Sequence, residues 1–121
     1  MTSEDGYTIK HRDEFERTGR WALARRSLGV TSFGMNLVAV EPGYAMPEHD
    51  ETPRDHEEVF FVLSGDAVAV VGGEEHAAPA GTFVRVDPHV RRTIRNEGTE
   101  AVDLLIVSAP RSSGYEPLDW A

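Results

Sequence analysis

Residues 43–65 read Gly43-Tyr-Ala-Met-Pro-Glu-His49-Asp-Glu51-Thr-Pro-Arg-Asp-His56-Glu-Glu58-Val-Phe-Phe-Val-Leu-Ser-Gly65. The aromatic and β-branched run from Glu58 to Leu63 predicts a strand, and Ser64-Gly65-Asp66 predicts a tight turn, because glycine accepts positive φ without steric cost. Ahead of the turn stand His49, Glu51, His56 and Glu58, side chains of the types that ligate divalent metals.

The same rhythm continues on both sides. Apolar or alternating runs predict strands near Ala22 to Ser27, Phe33 to Val40, Ala67 to Val71, Glu74 to Ala77, Thr82 to Val86, Arg92 to Arg95 and Val102 to Ser108. Gly72-Gly73 supplies a further hairpin turn. Helix signals are few: Asp13 is read as capping one turn through Glu16, ended by Arg17-Thr-Gly19. Repeated short hairpins favour a closed or nearly closed β structure. Phe33, Met35, Leu37, Phe60, Val62, Leu104 and Ile106 are read as its lining, and Tyr115, Leu118 and Trp120 as a tail that latches onto the barrel or a partner subunit.

Composition narrows the classes of function. The 121 residues suit one domain spanning 1–121, with any site inside it or between copies. No apolar run approaches membrane-spanning length, and MTSEDGYTIKHRDEF has no apolar core, so a cytoplasmic protein without membrane attachment is expected. With no cysteine, disulfides, thiolate nucleophiles and iron–sulfur ligation are excluded, leaving His and carboxylate for any metal. A formal net charge of −9 argues against nucleic acid as a partner.

A second block runs from Gly81 through Asp87-Pro-His89 and Arg92 to Asn96. With residues 43–65, this ordered set of glycines, prolines and strands resembles the cupin superfamily, whose first motif falls at about 43–65 and second at about 81–96. The resemblance implies an all-β, single-domain double-stranded β-helix, a jelly-roll-like barrel with little helix. In metal-binding members three His and one Glu converge on a divalent ion inside the barrel. On this sequence His49 matches the first His, Glu51 stands where the second belongs, Glu58 matches the carboxylate and Asn96 the closing Asn. Arg92 occupies the third His position. An arginine is always protonated and offers only donors, so it cannot ligate a cation.

Strand alternation sends Arg92 inward with Ile94, where its charge would sit beside Glu58 and Glu51 and replace the ion. The leading expectation is therefore a barrel without metal or other cofactor. It binds a small molecule in a pocket of His49, Glu51, Glu58, Phe60 and Arg92, and Arg92 either anchors an anionic or carboxylate ligand or pairs with Glu58.

Two alternatives stay open. One is a metal-dependent enzyme of dioxygenase, isomerase or decarboxylase type, holding Fe, Mn, Ni or Zn on His49, Glu58 and either His56 or Glu51. In a metal-free variant of that chemistry, Glu58, Glu51 or His49 carries a proton. The other is a non-catalytic structural homodimer, homodimers being common among cupins. His11, His76 and His89 are read as lying outside the site.

Overall fold

The computed structural model describes residues 6–121; residues 1–5, part of the N-terminal stretch read above, lie outside it. Two antiparallel sheets face each other. The larger is built from β1 (Arg17–Thr18), β2 (Trp21–Ala22), β3 (Gly34–Val40), β4 (His56–Ser64), β7 (Phe83–Val86) and β9 (Val102–Pro110), in the order β1-β2-β3-β9-β4-β7. The smaller holds β5 (Asp66–Val71), β6 (Glu74–Pro79) and β8 (Arg92–Arg95), in the order β6-β5-β8.

Residues two apart on a strand share a face, so His56, Glu58, Phe60 and Val62 of β4 form one inward row. Phe60 and Val62 join Val38, Leu104, Ile94 and Val102 in the core, and Glu58 sits at the edge of that core. The expected strand interiors hold. The all-β cupin-type barrel read from the sequence is the observed architecture.

Gly65 shows why the turn after β4 needs glycine. Its φ is +87°, and a Cβ there would meet the Ala101 carbonyl at 2.7 Å and Val102 Cα at 3.0 Å. The turn is pressed against the start of β9.

Three local expectations need correction. The strand expected over Ala22 to Ser27 ends at Ala22, and Ala24–Leu28 is a short helix, α1. Ala24, Arg25, Arg26 and Leu28 are good helix formers, and Gly29 closes the turn in the left-handed region at φ 78°. The turn expected from Asp13 is a 3-10 turn over Arg12–Glu14, capped by His11, whose Nδ1 accepts from the Asp13 N–H. Arg17 and Thr18 do not end a helix; they pair with Trp21 and Ala22 as a hairpin.

Among the expected lining residues, Phe33 is exposed, and Leu37 lies opposite Ala22 rather than in the main core cluster. Tyr115, Leu118 and Trp120 are 75%, 60% and 84% exposed, so the tail does not bury them against its own barrel. No helix among the described residues is long and apolar enough to cross a membrane.

Candidate functional site

The site forms where the first motif runs along the second. Past Gly43 the chain lies antiparallel to β8: the Met46 N–H donates to the Ile94 carbonyl, and the His49 and Arg92 backbones exchange hydrogen bonds. Thr93 adds a hydroxyl bond to the Met46 carbonyl. Asn96, buried, ties the far end. Its Nδ2 donates to the Val40 and Glu100 carbonyls at 2.8 and 2.7 Å, and its Oδ1 accepts from the Gly98 N–H.

This pairing carries His49 over Glu58. One ligating atom from each of His49, Glu51 and Glu58 lies within 4.8 Å of the others. His49 Nε2 stands 3.1 Å from Glu51 Oε2 and 3.9 Å from Glu58 Oε1. Its Nδ1 is 3.0 Å from the Pro47 carbonyl, which can only accept, so Nδ1 carries a proton.

Arg92 points inward, as alternation requires, and is 1% exposed. Nη1 donates to Glu58 Oε1 at 3.1 Å and Nη2 to the Asp87 carbonyl at 2.7 Å. Nε finds no acceptor among the described residues. Burial pushes the Glu58 carboxyl above its ordinary range. Arg92 pulls it down, and the nearby Glu51 charge adds to the upward push.

A cavity of about 370 Å³ opens above this group. His49, Glu51, His56 and Glu58 line it, together with Arg54, Asn36 and Ser108 on the polar side and Trp21, Met35, Met46, Pro47 and Ile106 on the apolar side. Phe60 and Arg92, expected in the pocket, do not line it: each is 1% exposed and lies beneath the wall. Arg92 reaches the cavity only through Glu58. His56 begins β4 and faces the cavity but falls outside the close cluster of His49, Glu51 and Glu58. His11, His76 and His89 are exposed and do not line the cavity, in keeping with the reading that they lie outside the site.

The sequence reading missed Asn36, Met46, Pro47 and Ser108, and two contributors that bear on the chemistry, Arg54 and Trp21. Arg54 closes a 3-10 turn over Thr52–Arg54 and donates through Nε and Nη2 to Glu51 Oε1 at 3.1 and 3.0 Å. The i,i+3 spacing of Glu51 and Arg54 around Pro53 was the available signal. Trp21 comes from the N-terminal hairpin, which is too short for periodicity to reveal.

Whether these residues suit the family's ion is a question of donors. Three of the four ligand positions, His49, Glu51 and Glu58, offer a ligating atom; the fourth, Arg92, offers only N–H groups. Both carboxylates already accept from a guanidinium.

The model of the cupin domain family matches residues 36–108, more than half of the chain. No curated protein matches it. Among solved structures, a cupin protein from Bacteroides fragilis superposes with a TM-score of 0.77 at 20% identity, covering 94% of this chain and 92% of that one. A sugar phosphate isomerase of the cupin superfamily from Silicibacter pomeroyi gives 0.73 at 21% identity, covering 84% and 75%. A protein described as a predicted oxalate decarboxylase from Thermotoga maritima gives 0.72 at 18% identity, covering 85% and 99%. At these identities the structural likeness speaks for the fold alone. With the family match and the motif positions laid along one barrel, the chain belongs to the cupin family.

Proposed function

We propose that the protein is a small-molecule-binding cupin barrel that works without a resident metal, with Arg92 as the internal counter-ion of Glu58. One observation carries this reading: Arg92 occupies a ligand position, is buried, and donates to Glu58 Oε1 at 3.1 Å. A second cation there would displace a guanidinium that already neutralises the carboxylate. Of the two roles considered for Arg92, this geometry supports pairing with Glu58. An incoming ligand meets His49, Glu51, Arg54, His56 and Glu58 instead.

Elemental analysis of untagged protein, purified without chelator and then dialysed, tests the reading. The expected result is far less than one equivalent of Fe, Mn, Ni or Zn. Near-stoichiometric metal that survives dialysis would overturn it.

That outcome would favour the second reading, a metal-dependent enzyme on His49, Glu51 and Glu58. The specific observation behind it is the approach of three ligating atoms to within 4.8 Å. Two structural relatives are described as a sugar phosphate isomerase and a predicted oxalate decarboxylase, reaction types that this reading includes.

The proposal also takes the protein to be cytoplasmic and homodimeric. The exposed Tyr115, Leu118 and Trp120 support pairing, because a second copy would bury them. Light scattering after size exclusion tests it, and a monomer at all concentrations would refute it.

A further inference from the structure

The family match begins at Asn36, yet one wall of the cavity comes from before it. The β1–β2 hairpin turns at Gly19 and pairs Trp21 directly with Val38 of β3. Directly opposed residues of an antiparallel pair project to the same face, and Val38 belongs to the core. Trp21 therefore faces inward, packs against the core cluster and lines the cavity above Glu58. It also lines a neighbouring cavity of about 210 Å³, and Trp21, Met46 and Pro47 are shared by the two.

Across from this apolar wall, the polar groups have a definite bias. Arg54 is engaged with Glu51, while Arg92 is engaged with Glu58 and the Asp87 carbonyl. Both guanidiniums near the site are thus already paired with a carboxylate, and the N–H groups that Arg54 has left stand beside the Glu51 charge, which disfavours an anion. The two carboxylates, by contrast, keep acceptor capacity. Glu58 is bonded at Oε1, and an ionised carboxylate has room for about four hydrogen bonds. A group that presents N–H or O–H donors suits them, and the Asn36 amide and Ser108 hydroxyl adapt to either role.

We propose that Trp21 is the stacking wall of the ligand site, and that the ligand is a neutral cyclic molecule with a flat apolar face and hydroxyl donors along one edge. The ring lies against Trp21 and its donors reach Glu51 and Glu58. This rests on the small-molecule reading above and deepens it by naming the ligand class. Polyhydroxylated rings and phenols share that chemistry, and the test separates them.

The chain has two tryptophans, and Trp120 is 84% exposed and outside the cavity. In a Trp120→Phe background the emission of Trp21 reports the site alone. The probes are myo-inositol and D-glucose for the polyol arm, resorcinol for the phenol arm, benzoate for an anion and Zn²⁺ for a metal. The expected result is a saturable emission change with a polyol or with resorcinol, and none with benzoate.

Saturation-transfer NMR on the responding probe then compares wall variants. Trp21→Leu keeps apolar burial but removes the flat face and weakens binding about tenfold, whereas Trp21→Phe restores most of it. Equal affinity in wild type and Trp21→Leu would overturn the stacking role. A response to benzoate alone overturns the neutral-ligand inference while leaving small-molecule binding intact. A response to Zn²⁺ alone overturns the metal-free reading beneath it, and no response to any probe overturns the ligand class.

Discussion

His49 and Arg92 hydrogen-bond to each other through both backbone groups: the His49 N–H donates to the Arg92 carbonyl at 3.1 Å, and the Arg92 N–H donates to the His49 carbonyl at 2.9 Å. A mutually bonded antiparallel pair places its two side chains on one face. The second motif's deviant residue is thereby fixed beside the first motif's histidine.

Arg92→His consequently returns an imidazole to a position already held next to His49, Glu51 and Glu58. The expected outcome is a protein that acquires about one equivalent of Zn²⁺ or Mn²⁺ on dialysis against the metal, because a borderline N/O set is completed and a competing cation removed. Elemental analysis of wild type and variant side by side checks it. Equal metal content in both would show that Arg92 does not control the site.

Arg92→Ala leaves Glu58, only 8% exposed, without its buried partner. Such a break costs about 3–5 kcal/mol, because an uncompensated charge remains in the interior. Replacing both partners together, Arg92→Met with Glu58→Leu, recovers most of that loss. Urea melts of wild type and the two variants decide the matter: an unchanged midpoint in Arg92→Ala would mean that the pair contributes nothing.

The Glu58 carboxyl supplies a pH signature. Burial raises it above its unfolded-chain value of 4.5, against the pull of Arg92, so the folded protein holds this proton more tightly than the unfolded chain. Stability from this group therefore falls as pH climbs from 4.5 through the higher folded value; below 4.5 the penalty is absent, and above the folded value it is complete. The unfolding free energy of Glu58→Gln minus that of wild type should increase across that window. Denaturant melts at a series of pH values measure it, and a flat difference would place Glu58 in an aqueous environment.

Gly65→Ala tests the turn between β4 and β5. The left-handed backbone costs an L-residue about 1–2 kcal/mol, and the new Cβ also meets the Ala101 carbonyl at 2.7 Å. A loss of at least that size in the urea midpoint is expected. Gly73→Ala, with φ +84° and open space around it, should show the backbone cost alone.

The barrel could be read from the sequence because its strands are bounded by glycines that the turns require, and because β4 and β9 carry long runs of β-forming residues. His49, Glu51, Glu58 and Arg92 were legible through motif spacing, and the inward direction of Arg92 through its neighbour Ile94. Arg54 and Trp21 were not. Arg54 depends on a 3-10 turn and Trp21 on a two-residue strand, both too short to leave a periodic trace. Helix α1 was misread because Ala22, Leu23 and Ala24 suit either state, and docking onto β3 decides between them. The burial of Arg92 beneath the cavity wall depends on how Glu58 and the Asp87 carbonyl share it, which spacing does not encode.

The Arg92–Glu58 pair also bears on how the pocket comes into being. A carboxylate balanced by a dissolved ion has a charge that varies with supply, and its protein exists in filled and empty forms. Glu58 receives its counter-charge with the polypeptide itself. Every folded copy therefore carries this guanidinium beside Glu58 from the moment its two motifs meet, whatever metal ions the surrounding solution holds.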